Sequence, residues 1–295
     1  MKKQVLSAAF LSVCFMACGA PLTPNIPDLT SITPITPITP IEPKPQSNSV
    51  VTPTLPQVGV LPATSNNAMW RKVTVGIEVI NLRAHSNSLN VDHPITVVRI
   101  DPTRVDIKVQ YTPTDPHRMS DWHNVTDADV IINAGFFTPQ KTATGLLITN
   151  GKAYGQSYKG FGGMFSIRDG KPRLQWLGSQ PYTPDVKITQ AVQTFPMLVQ
   201  NSKVMQNLPT EDRHTYRSFI GIDKMGKVLL GITRSSSWLL SDLAAMLASH
   251  PTLNIDSALN LDGGASTGIW LRGVPEGDLT DSYDTVPSVI TVKSK

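Results

Sequence analysis

From Trp70 onward the chain alternates between apolar and polar residues. In "RKVTVGIEVINLRA" the alternation is carried by β-branched side chains, which reads as one half-buried strand. "HPITVVRIDP" and "RVDIKVQYTP" repeat the pattern with turn residues between them. In "DADVIINAGFF" the alternation stops, and the continuous apolar run reads as a strand buried on both faces. Four hairpins follow. "GLLITNGKAYG" turns at Asn150-Gly151 and "GGMFSIRDGKPRLQWL" at Asp169-Gly170. "AVQTFPMLVQNSKVM" turns around Asn201-Ser202, and "RSFIGIDKMGKVLLGIT" near Met225-Gly226. Asn-Gly and Asp-Gly pairs favour such turns because both residues tolerate positive φ. One stretch changes period: in "SSSWLLSDLAAMLASHP", Leu240, Leu243, Ala244 and Leu247 fall at i, i+3, i+4, i+7 and predict a helix. Ser237 or Ser241 is expected to cap it and Pro251 to stop it. "SALNLDGG" returns as a strand and "SVITV" closes the domain. The order predicts an α+β fold, with mixed or largely antiparallel sheets built from hairpins and one or two packed helices.

The pattern is different before Trp70. Residues 1–18, "MKKQVLSAAFLSVCFMAC", place two lysines before a short apolar run that ends in small residues, a secretory signal too short to span a bilayer. Its end, Phe15-Met16-Ala17-Cys18, resembles a bacterial lipobox, with Phe and Met in place of the usual Leu and small residue. The resemblance implies that Cys18 is lipidated. Residues 19–69 are Pro- and Thr-rich, centred on "TPITPITPIEPKP"; recurrent proline forbids helix and interior strand and leaves a semi-rigid spacer. The expected organisation is a signal segment over 1–18, a linker over 19–69 and a folded domain over 70–295. The expected location is the bacterial cell envelope, with the exported chain anchored to the membrane by lipid. Both cysteines, Cys14 and Cys18, lie in the signal segment, so the folded part holds no thiol for a disulfide or a metal.

Composition narrows the partners. Of the 295 residues, 40% are hydrophobic and 16% charged, which fits a globular body. The formal charge of +4 falls by two when a segment carrying Lys2, Lys3 and no acid is removed. With no Lys/Arg cluster, nucleic acid is not expected as a partner. The six histidines form no H-x-x-x-H pair. Asp278, Asp281 and Asp284 lack calcium-loop spacing and read as a solvated acidic loop. No metal site and no cofactor are expected, and a requirement for a divalent cation is left open.

The candidate chemistry centres on "LNLDGGASTGIW". Gly264-Ala265-Ser266-Thr267-Gly268 matches the G-x-S-x-G form of a serine elbow, but strand and turn residues follow it rather than a helix. No histidine occurs after Ser266, since His250 is the last. Asp262 carries more promise. A strand ending on a carboxylate places it rigidly, and Gly263 and Gly264 let a ligand approach the backbone. Partial burial would bring its pKa into the range of acid–base work. "IINAGFF" has the same form: Asn133 offers a donor and an acceptor at a strand end, and Phe136 or Phe137 could stack on a sugar or pack in the core. In "RHTYRSFIGID", Arg217 opens a strand with a guanidinium able to grip a phosphate or carboxylate, and Arg234 in "GITRSSS" is a second candidate.

Taken in order, "NAGFF", "GLLITNGK", "QTFPMLVQN", "RSFIGID…GKVLLGIT", "DLAAML" and "ALNLDGGAST" resemble the phosphodiester glycosidase family across about residues 70–295. This is the family of N-acetylglucosamine-1-phosphodiester α-N-acetylglucosaminidase and of many bacterial exported proteins, and the likeness is to that bacterial branch. The resemblance implies hydrolysis of a sugar-1-phosphodiester in envelope or extracellular glycans. It implies a site using Asn133, Gly135, Arg217, Asp262, Gly263, Gly264 and Ser266. On this reading Arg217, with Arg234, holds the phosphate; Asp262 is base or nucleophile; Asn133, Phe137 and the Gly263-Gly264 backbone orient the substrate. Glycoside cleavage commonly uses two carboxyl groups, and Asp242, Asp256 and Glu211 are unranked candidates for the second. The chain departs from the family at "ITR", where many members have Asp-Gly-Arg, at Ala265 for a third glycine, and at Thr194-Phe195 for Ser-Gly. The alternative is a non-catalytic protein that binds an exopolysaccharide or assists its synthesis.

Overall fold

The structure, a computed structural model, describes residues 68–184, 187–206, 208–210, 213–274 and 280–295. The signal segment, Cys18 and nearly all of the linker lie outside the described residues.

The first alternating run forms two strands rather than one. β1 (Arg71–Thr74) and β2 (Ile77–Ser86) are separated at Val75-Gly76. Gly76 has φ +74°, and a Cβ there would lie 2.8 Å from that of Arg104. The backbone thus reverses where only glycine fits, a constraint that alternation alone does not reveal. Next come β3 (Val91–Ile100), β4 (Val105–Tyr111) and a short helix α1 (Met119–Val125). This helix was not legible in the sequence, because seven residues with only Met119 and Trp122 buried hold too little of a helical period. β5 (Val130–Asn133) is buried at every position, as its unbroken apolar run predicts.

The hairpins follow as β6 (Leu147–Thr149) with β7 (Lys152–Tyr154), and β8 (Gly163–Arg168) with β9 (Lys171–Trp176). β10 (Ile188–Thr194) runs into β11 (Met197–Gln200) and β12 (Lys203–Val204). β13 (Ser218–Asp223) and β14 (Val228–Thr233) form the last hairpin. Asn150-Gly151, Asp169-Gly170 and Asn201-Ser202 all take positive φ, as expected of them, and Gly226 does so in the fourth turn.

The predicted helix is α2 (Leu240–Ser249), ended before Pro251. Neither Ser237 nor Ser241 caps it: the N-cap is Leu239, without a side-chain cap bond, while Asp242 in the first turn faces the positive helix end. β15 (Ile255–Asn260), a 3₁₀ turn at Gly264–Ser266, β16 (Ile269–Leu271) and β17 (Ser288–Ser294) complete the chain.

Among the described residues every strand pairing is antiparallel. Three sheets result, in the orders β1-β2-β3-β14-β13-β15-β11-β12, β7-β6-β10-β8-β9 and β16-β5-β17-β4. The largest sheet is buried on both faces. Val98 and Ile100 of β3, Ile220 of β13 and Leu259 of β15 point into a core shared with the other two sheets. Their neighbours Ile95, Val97, Phe219 and Ala258 pack under α2 against Leu243 and Leu247. α1 covers the outer face of the four-stranded sheet through Met119 and Trp122. Among the described residues no helix is long and apolar enough to cross a membrane.

Candidate active site

Three strand ends from two sheets meet at one point. β5 ends on Asn133, β13 starts at Ser218 just after Arg217, and β15 ends on Asn260, two residues before Asp262. Main-chain bonds close the junction: Leu261 N donates to Ser218 O at 2.9 Å, Asp262 N to Ala134 O at 3.0 Å, and Gly264 N to Tyr216 O at 2.9 Å. Fully buried Asn133 is the hub. Its Nδ2 donates to the main-chain oxygen of Asp262 at 2.6 Å, and its Oδ1 accepts from Ser218 Oγ at 2.7 Å and Gly268 N at 3.2 Å. The sequence reading gave Asn133 to the substrate; in the structure its carboxamide faces protein groups and fixes the backbone from which Asp262 projects.

The Asp262 carboxyl is enclosed although the residue as a whole is partly open. Burial pushes its pKa up to about 6, against hydrogen bonds from Ser266 and from Gly263 N, the latter at 2.9 Å. Two more charges reach it: Asp284 pushes the pKa further up and Lys141 pulls it down. These two form an ion pair at 2.9 Å. Lys141 Nζ also donates to Thr285 O at 2.7 Å and lies 4.8 Å from the centroid of the Phe137 ring. The phenol of Tyr158 lies on another side, its pKa raised by burial and by the negative charge of Asp262. Tyr158 opens an aromatic wall. Its ring stacks on Phe161 at 4.9 Å, Phe195 meets both, and Phe136 lies 4.9 Å from Phe195. Phe161 and Phe195 remain 49% and 39% exposed. The junction therefore carries a carboxyl with a raised pKa, an aromatic wall and a lysine–aspartate pair.

Arg217 stands beside this point but is turned into the protein. It is 7% exposed, donates Nε to Trp238 O at 3.0 Å and donates Nη2 to Arg213 O at 2.7 Å. Half-buried Arg234 follows β14, with its main-chain N on Pro94 O at 2.9 Å. The glycines divide by reason. A Cβ on Gly135 would meet Val192 at 3.0 Å, and one on Gly263 would meet Tyr216 O at 2.8 Å, so both serve close packing of the junction. Gly264 instead has φ +61° with only Thr215 Oγ1 nearby, at 3.5 Å. Phe137 packs toward α1 and carries Lys141, whereas Phe136 belongs to the wall.

A family model described as phosphodiester glycosidase matches residues 126–293, more than half of the chain, and takes in every strand end of this junction. The chain belongs to the phosphodiester glycosidase family.

No protein of curated function matches it in sequence. Its fold is similar to that of the catalytic domain of zebrafish N-acetylglucosamine-1-phosphodiester α-N-acetylglucosaminidase, a structure auto-inhibited by its pro-peptide. There the TM-score is 0.61 and identity 16%, over 77% of this chain and 88% of that one. A hypothetical protein from Synechocystis matches at TM-score 0.56 and 15% identity, over 79% of this chain and 65% of that one. A protein from Burkholderia pseudomallei, described as exported, matches at TM-score 0.52 and 12% identity, over 69% of this chain and 74% of that one. At these identities the likeness is one of fold.

Within this phosphodiester glycosidase domain the three candidates for a second carboxylate fare differently. Asp242 is buried on α2, where it accepts bonds from Ser86 Oγ at 2.8 Å, Ser88 N at 3.2 Å and Ser88 Oγ. Asp256 sits at the opposite end of β15 from Asp262. Glu211 lies outside the described residues. Asp284, read from sequence as part of a solvated loop, is exposed and also paired with Lys141, and Asp281 is paired with Arg118 at 2.9 Å; Asp278 lies outside the described residues. No sequence signal singles out Lys141 or Tyr158, which come from loops remote from Asp262 in the chain, and Asp284 stands in the sequence only as one carboxylate of an acidic loop. Among the described residues no group of three or more His, Cys, Asp or Glu is placed to hold a metal.

Proposed function

We propose that this protein is an exported hydrolase that cleaves the bond between the anomeric carbon of a sugar and the phosphate of a phosphodiester. The observation that carries the reading is the Asp262 carboxyl, fixed at a strand end by the Asn133 hub, with its pKa raised to about 6 by burial. A general base works best when its pKa lies near the operating pH. Above about 6 the carboxylate accepts a proton from water, whose oxygen attacks the anomeric carbon. The leaving group is a phosphate monoester, whose second pKa is about 6, so it departs without the strong protonation that an alcohol needs. The aromatic wall stacks on apolar sugar faces, as aromatic rings do when one side must stay dry. Arg217 backs the junction and orients its loop, and its reach toward the phosphate is part of the proposal. A Cys18 lipid anchor, with the 19–69 spacer holding the domain off the membrane, completes the picture. Fatty-acid labelling that persists in Cys18→Ser would remove it.

The test is direct. Purified protein is incubated with UDP-sugars and p-nitrophenyl-type sugar phosphodiesters, and free sugar is measured across pH. Turnover with an acid limb near pH 6, abolished in Asp262→Asn, is the expected result. Wild-type turnover in Asp262→Asn overturns the assignment, and binding without release makes the protein a glycan binder.

A further inference from the structure

We propose that Asp284, positioned by Lys141, is the second carboxylate of this site and faces the anomeric centre of the bound sugar beside Asp262. The inference rests on the function just proposed and adds a residue to it.

Four observations carry it. First, one carboxylate oxygen is held by two donors: Lys141 Nζ at 2.9 Å and Thr285 N at 2.7 Å both donate to Asp284 Oδ1. Second, its loop is hooked to the Asp262 loop. Tyr283 N and Asp284 N both donate to Ala265 O, at 2.8 and 3.0 Å, three residues beyond Asp262. Third, Lys141 adopts φ +62°, a conformation that long side chains rarely take without support. A turn supports it, with Lys141 N on Thr138 O and Thr138 N on Thr142 O, both at 2.8 Å, and it aims the ammonium at Asp284 over the Phe137 ring. Fourth, about half of the Asp284 side chain remains open to solvent, so a ligand can reach it, while Lys141 is largely covered.

The chemistry needs such a group. As the anomeric C–O bond breaks, its electron pair leaves with the phosphate and positive charge grows on the sugar ring. Water supplies the new C–O bond and passes its proton to Asp262. Asp284 forms and breaks no bond; it stabilises the developing cation. Two carboxyl groups serve one reaction well when their surroundings drive their pKa values apart. Here burial raises that of Asp262, while the Lys141 bond lowers that of Asp284. The groups acting on Asp262 are Ser266, Gly263 N, Asp284, Lys141 and Tyr158; after burial the Ser266 and Gly263 donors act most strongly on its titration, and Asp284 and Lys141 add a smaller, opposed pair of charges.

The experiment compares pH–rate profiles of wild type, Asp284→Asn, Asp284→Glu and Lys141→Met on a sugar-1-phosphodiester. Asp262 is followed in parallel by ¹³C carboxyl NMR titration. Asp284→Asn is expected to lower kcat by about 10²-fold or more and to move the Asp262 titration to lower pH, because a like charge is gone. Lys141→Met moves it to higher pH. Asp284→Glu keeps the charge and the titration but loses kcat through displacement. A folded Asp284→Asn with kcat within threefold of wild type, or with an unmoved titration, overturns the proposal. If wild type releases no sugar, the proposed function fails separately, and the NMR titration alone decides the pairing: an Asp262 titration unchanged in Asp284→Asn overturns it.

Discussion

Asp242 and Asp262 are both enclosed aspartates close to serines, yet the fold handles them in opposite ways. Asp242 lies on α2 against one face of the eight-stranded sheet and gathers donors from Ser86 and Ser88; Ser88 Oγ in turn contacts His214 Nε2 at 2.9 Å. Asp262 leaves the same sheet on β15 and crosses to β5. There burial outweighs the Ser266 and Gly263 donors, and Asp284 adds a like charge. A carboxylate surrounded by donors serves the fold, because removing it leaves those donors unsatisfied. A carboxylate left short of donors strains the fold and is kept for chemistry.

The largest effect that would break this comparison is at Asp262. Asp262→Asn should lower turnover by about 10³-fold or more, roughly 4 kcal/mol in activation free energy. Stability should move the other way. An acid whose folded pKa, about 6, exceeds its ordinary value of 3.8 binds its proton more tightly when folded. Its contribution to stability therefore falls as pH rises from about 3.8 to about 6 and stays low above that. At pH 7 the amide should stabilise the protein by roughly 1–3 kcal/mol, read as a higher Tm. A Tm that drops in Asp262→Asn would place Asp262 with Asp242 among the structural carboxylates.

Next in size is Asp242→Ala. It strips three donor atoms of their acceptor and should lower stability by about 2–4 kcal/mol, while kcat per folded molecule stays within twofold. Thermal unfolding and active-site-normalised turnover separate the two quantities. A selective loss of kcat would return Asp242 to the list of second carboxylates.

The Asp262 side of this contrast was legible in the sequence; the Asp242 side was not, since the sequence offers Asp242 as an unranked candidate for the second carboxylate and only the bonds from Ser86 and Ser88 separate the two. Strand-end placement of Asp262 and Asn133 followed from apolar runs that stop at a polar residue and glycine. The hairpin turns followed from residues that accept positive φ. What Asn133 does was not legible, because a carboxamide offers the same groups to a ligand and to a neighbouring strand; the pairing of β5 beside β16 brings Gly268 within its reach, and the start of β13 in the other sheet brings Ser218. Lys141 and Asp284 were hidden for a different reason. They lie 143 positions apart and meet through loops, where no periodicity constrains position. The Gly76 break was missed because it depends on a tertiary contact, with Arg104.

The hub offers a sharper cut. Asn133→Ala removes the bond to the main chain of Asp262 and leaves Ser218 Oγ and Gly268 N without their acceptor. It should cost about 1–3 kcal/mol of stability and lower kcat by roughly ten- to a hundredfold, since small misplacement of a catalytic group is costly. KM should change little. A rise in KM with kcat intact would mean that Asn133 meets the substrate after all.

The smallest expected effect tests the wall. Phe161 and Phe195 are the outer, more exposed members of the aromatic cluster, and Tyr158 ties that cluster to Asp262. Truncating an exposed ring leaves the core untouched, so Phe161→Ala should leave Tm within about 1 °C while removing one stacking surface. A stacked aromatic contact is worth about 0.5–1.5 kcal/mol, which predicts a KM raised roughly two- to tenfold at constant kcat. Because Phe161 lies in the loop between β7 and β8 and meets Tyr158 and Phe195, whereas Asn133 bonds to Ser218, Gly268 and the main chain of Asp262, the effect should be additive with that of Asn133→Ala. Strong coupling between the two variants would mean that wall and junction form one mechanical unit, and the division of the cleft into a stacking side and an acid–base side would have to be redrawn.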